Sequence, residues 1–206
     1  MKYIKPVGIL LLLIVAGAVV YIFKHTSPII EIVNPEPIAT STEVATTTAT
    51  TTVLGTESTP EANLKLQASI LAKAFIKKDY ETVIKYTHPT IVTGLGGKEK
   101  ALENLKKGMA SADMTFTVID LEKPSAIINT GTELQSVIVE NLEMKIPTGT
   151  LKGKSALIAI SMDKGKNWFF IDRSGAEDLK AFQTMLPTLS SKLVLPAKVE
   201  PTFVQN

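Results

Sequence analysis

The sequence predicts an α+β protein tethered by its N-terminus. Three observations carry this. Pro6–Phe23 is an uncharged apolar run. Residues 26–60 form a Thr-rich stretch without Lys or Arg. Beyond them, apolar residues recur at helical spacing, then alternate as in strands, then return to helical spacing. The expected divisions are an N-terminal membrane anchor or uncleaved signal over 1–25, a disordered linker over 26–60, a helices-plus-curved-antiparallel-sheet domain over 61–187 and a C-terminal tail over 188–206.

The 18 residues PVGILLLLIVAGAVVYIF follow Lys2 and Lys5 and end at Lys24 and His25. As a helix they rise roughly 27 Å, against a hydrocarbon core about 30 Å thick. Two readings compete. A cleaved signal peptide would be cut at Ala16-Gly17-Ala18, leaving Val-Val-Tyr-Ile-Phe as an apolar end. An uncleaved anchor uses the whole run and places Tyr21 and Phe23 at the membrane interface, and it is the preferred reading. Lys2, Lys5 and the amino group on one side predict a single-pass protein in the cell membrane. Its N-terminus is then cytoplasmic and its domain extracytoplasmic.

The linker holds 11 Thr, 3 Ser, 4 Pro and 4 Glu, including two Thr triplets. Such a composition cannot bury enough apolar surface to offset the entropy of ordering. A flexible chain of this length spans roughly 30–35 Å. The spacer reading is preferred to one in which its hydroxyls carry sugar.

The domain begins with Thr59 as N-cap, Pro60 at the first helical position and Glu61 in the first turn. Leu64, Ala68, Leu71, Ala72 and Phe75 follow at helical spacing to Lys77-Lys78. Asp79 is expected to cap a second helix through Tyr86, which Pro89 stops. Thr90–Thr93 reads as a short extended piece, and Gly94, Gly96 and Gly97 as a turn. Residues 98–110 make a third helix with Ala101, Leu102, Leu105 and Met109 on one face. Met114–Leu121, Leu134–Ile146, Leu151–Met162 and Asn167–Asp172 read as strands. In Leu134–Ile146 one face is expected to carry Leu134, Ser136, Ile138, Glu140, Leu142, Met144 and Ile146. Asp163-Lys164-Gly165-Lys166 is a tight hairpin loop, Ala176–Met185 a closing helix, and Leu193–Asn206 a tail or a final edge piece. The helices are expected to pack on the concave face of the sheet.

Composition excludes several chemistries. The chain has no Cys, hence no disulfide, thiolate metal site or lipid attachment at Cys. Its two His, His25 and His88, cannot form a multi-histidine metal centre. Residues 61–206 carry 19 Lys+Arg and 16 Asp+Glu, a difference of +3 spread along the chain, which gives no nucleic-acid footprint. Arg173 is the only arginine. Gly94-Leu95-Gly96-Gly97-Lys98 lacks the spacing and preceding strand of a phosphate loop.

The stretches LAKAFIKKDYETVIKYTHPTIV and GGKEKALENLKKGM, and the strand meander ending in KNWFFID, resemble the NTF2-like (cystatin-like, cone-shaped) superfamily over about residues 64–185. The resemblance implies a cone-shaped pocket between helices and a bent sheet. Some members are isomerases, dehydratases or hydrolases, and many are non-catalytic binding or dimerising modules. The general-base Asp of the ketosteroid-isomerase-like members falls at or near Thr93 here, and their oxyanion-donating Tyr at Leu71 or Ala72. Neither residue supplies proton-transfer chemistry.

The candidate site residues are Tyr80, Tyr86, His88 and Asp172. His88 is a candidate acid or base, set against a plain role capping the second helix. Tyr80 and Tyr86 are candidate hydroxyl donors, set against core aromatics with exposed tips. Asp172 with Arg173 is a candidate pair, set against a strand end. Trp168, Phe169 and Phe170 read as core, with one ring facing the other side of the sheet. No cofactor and no metal are expected. The expected function is a membrane-anchored, non-catalytic module whose partner is a small apolar ligand, a second copy, or an envelope protein at the sheet face. The alternatives are a small-molecule enzyme using the four candidates, and a structural subunit of an envelope complex.

Overall fold

In the computed structural model, which describes residues 58–173 and 179–205, the chain enters its first helix through the expected cap. Pro6–Phe23 and the linker up to residue 57 lie outside the described residues. Among the described residues no helix is long and apolar enough to cross a membrane. The Thr59 side chain accepts a hydrogen bond from Ala62 N, and helix α1 runs Pro60–Lys77. A cap of this kind stabilises by about 1 kcal/mol. Lys78 ends the helix in the left-handed region, with φ 58°. Asp79 caps α2, Tyr80–Tyr86, through Thr82 N.

Pro89 does not leave an extended piece behind it. It occupies the first turn of α3, Pro89–Gly94, where its missing N–H and fixed φ are suited to a helix start. Thr90–Thr93 is therefore helical, and His88 is the N-cap of α3 rather than a cap on α2. Gly96 and Gly97, at φ 90° and 91°, turn the chain into α4, Lys98–Ser111, which buries Ala101, Leu105 and Met109.

The strands follow as β1 (Thr115–Leu121), β2 (Ile128–Asn129), β3 (Leu134–Ile146), β4 (Gly149–Ser161) and β5 (Phe169–Asp172). After them come α5 (Leu179–Met185) and β6 (Thr202–Gln205). Residues 174–178, including the predicted start of the closing helix, lie outside the described residues. The curved antiparallel sheet orders β1-β3-β4-β5, with β2 on β3 and β6 on β4. Phe169–Asp172 is thus not the last strand, and the edge-piece reading describes Thr202–Gln205.

A register shift between Phe116 and Val118 breaks the alternation of β1. Phe116 and Leu121 both pack toward the helices, while Val118 is exposed. A bulge has this effect because one extra residue re-aims those after it.

The sheet has two covered faces. Against its inner face, α1, α2 and α4 bury Leu64, Leu71, Val83 and Leu105 with Ile138, Leu157 and Phe170 of the sheet. Against its outer face, Phe182 of α5 and Leu186, Leu189 and Leu193 bury Val137, Ile158, Ile160 and Ile171. The closing helix therefore lies on the opposite face from α1, α2 and α4, in the same cluster as Ile91 of α3. The outer face that remains is polar: Lys152 pairs with Glu143 at 2.6 Å and Lys154 with Glu122 at 3.0 Å. Trp168 is fully buried and its indole N–H donates to Pro60 O at 3.2 Å, tying the hairpin to the start of α1.

Candidate functional site

Five polar residues are buried among the described ones: His88, Gln135, Ser136, Glu140 and Ser161. Three are fully accounted for. Gln135 donates to Thr188 O and accepts from Ser190 N. Ser136 donates to Ser125 O, and Ser161 accepts from Gly165 N. These bonds offset the cost of taking amides and hydroxyls out of water. Glu140 and His88 are different.

Glu140 is 6% exposed. Its cross-strand partners are Leu121 on β1 and Ser155 on β4. It shares the even-numbered face of β3 with Ile138, so its side chain projects toward the helices. Asp172 lies on the same inner face, paired with Leu157. Between them Ser155 donates a hydrogen bond of 2.9 Å to Asp172 Oδ1. Glu140, Ser155 and Asp172 thus form one polar row across β3, β4 and β5. No described residue donates a hydrogen bond to the Glu140 carboxyl.

Burial pushes the Glu140 carboxyl well above the usual carboxylate range, and the neighbouring Asp172 charge pushes it further the same way. A lone buried carboxylate is costly, which favours the protonated form of the group. Arg173, next in sequence, donates its guanidinium to Pro196 O.

The structure divides the four residues expected from sequence. Asp172 is on the inner face. Tyr86 lies on the same side, its ring 6.4 Å from that of Phe170 in a tilted arrangement. Tyr80 packs against the same core, and burial raises its phenol. His88 is elsewhere. Its ring meets Phe169 edge-on at 6.3 Å, and Phe169 points to the opposite face of β5 from Phe170. His88 is 4% exposed. Its Nδ1 accepts from Thr90 N, and its Nε2 has no partner among the described residues. Burial lowers its pKa, with the Glu133 charge opposing. The sheet separates His88 from Asp172, so the two do not share a proton path.

Leu71 and Ala72 are buried in or beside the core, and Thr93 is exposed at the end of α3. None of these positions supplies an acid or base to the inner face. The residue that sequence reading passed over is Glu140, whose signal was the one ionisable group in a row of β3 that otherwise holds Ser136 and apolar residues.

A concavity of about 550 Å³ opens at the outer edge of β5 between α2 and α3. Ile84, Val92 and Phe169 line it, with Lys85 and Lys98 among its polar residues. Among the described residues no group of three or more His, Cys, Asp and Glu is arranged to hold a metal ion. No protein-family model matches the chain, and no curated protein matches it.

Proposed function

We propose that the chain is a membrane-anchored, extracytoplasmic binding module of the NTF2-like kind, whose inner sheet face receives a small apolar ligand without catalysing a reaction. The observation that carries the reading is Glu140: a buried carboxyl to which no described residue donates a hydrogen bond, beside Asp172, on an apolar face between helices and sheet. Binding pockets have this composition, mostly apolar with a few convergent polar groups that orient the guest. Ionisable groups shifted by burial and a specific charge partner concentrate at functional sites. The non-catalytic part of the reading rests on the positions where related enzymes hold a base and a phenol, which are Thr93 and Leu71 or Ala72 here. The extracytoplasmic tether rests on Pro6–Phe23, its Lys flanks and the Thr-rich spacer.

The surface chemistry favours a ligand over a partner at the sheet face. The outer face is covered by α5 and the segment after it, and its remainder carries ion pairs rather than an apolar patch. The test is a ligand-observed NMR screen of the full chain in lipid nanodiscs against small apolar compounds, with Glu140→Gln/Asp172→Asn as control. Saturable binding that the double substitution weakens is expected. Turnover of isomerase, dehydratase or hydrolase substrates above background contradicts the non-catalytic assignment.

A further inference from the structure

We propose that His88 is a proton-sensitive latch: with its ring neutral it caps α3 and holds that helix at the edge of β5, and with its ring protonated the cap is lost and α3 opens. Pro89, Val92 and Thr93 of α3 line the concavity beside β5, and Ile91 packs into the outer core. Opening of α3 dismantles that wall and uncovers Ile91.

One residue carries the start of α3 and joins it to the sheet. The His88 backbone N–H donates to Phe170 O of β5 at 3.0 Å, beside a parallel bridge between Thr87 and Phe170. The His88 carbonyl accepts from Ile91 N at 2.9 Å and from Val92 N at 3.2 Å. Its side-chain Nδ1 accepts from Thr90 N at 3.3 Å. The helix it caps has only six residues, Pro89–Gly94, with no acidic side chain in the first turn. So short a helix has little stability of its own and depends on its cap and its packing.

A ring nitrogen that accepts a hydrogen bond carries no proton. The Thr90 bond therefore fixes the neutral ring with its hydrogen on Nε2, the atom that has no partner among the described residues. Protonation places a second hydrogen on Nδ1, which then faces the Thr90 N–H donor to donor. The cap bond is abolished, and a positive charge stands in a buried site against the Phe169 ring. Moving the ring out into water relieves both costs. The charged groups nearby do not prevent this. Glu133, before β3, favours the charged ring, but burial outweighs it. Its carboxylate already accepts from Gln135 Nε2 at 2.7 Å and Thr188 Oγ1 at 3.2 Å. Glu81 and Lys85 of α2 and Lys98 of α4 line the neighbouring concavity, and α3 itself has no ionisable side chain.

The experiment follows the full chain in lipid nanodiscs by nitrogen-15 NMR from about pH 7.5 to about pH 5, a range that brackets an ordinary histidine. At the upper end the His88 ring is expected as the Nε2–H tautomer. The Val92, Leu95 and Gly97 amides, which donate within and just after α3, report on the helix. As the ring protonates, their protection against hydrogen exchange is expected to fall at least about fivefold, with the midpoint of the ring's own titration. It should stay below the protection of Ile158 and Ile160 throughout, the mark of a local opening. In His88→Asn, which caps without titrating, α3 protection is expected to hold within about twofold. An Nδ1–H tautomer at neutral pH, unchanged α3 protection, or a fall that persists in His88→Asn overturns the inference. Protection at α3 equal to that at Ile158 and Ile160 assigns the change to the whole domain and overturns it as well. Should His88→Asn not fold, the parent protein alone decides: α3 protection that does not follow the His88 ring contradicts the latch.

Discussion

Ser155 donates a 2.9 Å hydrogen bond to Asp172 while standing directly across the ladder from Glu140. The serine satisfies one carboxyl of the row, while no described residue donates to the other. The consequence is a buried acid whose protonation follows pH, in a domain whose other acidic shifts mostly run the opposite way.

The first prediction concerns Glu140→Gln. Burial and Asp172 raise the folded-state pKa of Glu140 above its unfolded value. The native state therefore holds the proton more tightly, and the stability this contributes is complete below about pH 4.3. It is lost as pH rises through the folded value. Glu61, Asp79, Glu103 and Glu122 are lowered and act in the opposite sense, but they are common to both proteins. The difference between Glu140→Gln and the parent should grow in favour of the variant from pH 4 to pH 8, reaching about 1–2 kcal/mol. Urea unfolding across that range measures it. A flat difference contradicts the burial account.

The second concerns His88. Its folded pKa is lowered by burial, so the unfolded chain binds the proton more readily. Stability contributed by the neutral ring is present above about pH 6.5 and falls as pH drops below it. His88→Asn retains an N-cap for α3 without titrating. The parent should lose about 1 kcal/mol relative to this variant between pH 7 and pH 5, seen by circular dichroism during urea unfolding.

Trp168 gives the third. It is fully buried and donates to Pro60 O, which joins β5 to the start of α1. Trp168→Ala should cost about 3–5 kcal/mol, from the cavity and the unpaired carbonyl together. Guanidinium unfolding followed by circular dichroism is the check, since the mutation removes the only Trp.

The fourth tests the C-terminal strand. A Cβ on Gly149 would run into the Val204 carbonyl and the Phe203 ring. Gly149→Ala should release β6, raising amide exchange at Thr202–Gln205 at least about tenfold while protection at Ile158 and Ile160 holds. Unchanged exchange at Thr202–Gln205 contradicts the packing.

Much of this fold is legible in the residues because the signals are local. Thr59-Pro60-Glu61 and Asp79 start helices where such residues satisfy orphan N–H groups. Leu134–Ile146 shows its full extent through alternation. Pro89 misleads because one residue serves two purposes: it ends the preceding helix and is equally suited to open the next. The bulge in β1 depends on pairing with β3, which no local pattern encodes. The covered outer face depends on where α5 docks, a long-range event. In the site, Asp172 was legible as an acid ending an apolar strand. Glu140 was legible only as an oddity in its row, since its meaning comes from Ser155 and Asp172 two strands away. His88 is separated from both because neighbouring residues in β5 point to opposite faces.

The most direct measurement is a carbon-13 NMR titration of the Glu140 and Asp172 carboxyl carbons in the full chain. The account predicts a Glu140 carboxyl still protonated well above pH 4.5 and coupled to Asp172. A Glu140 that titrates as an ordinary exposed carboxylate would contradict it.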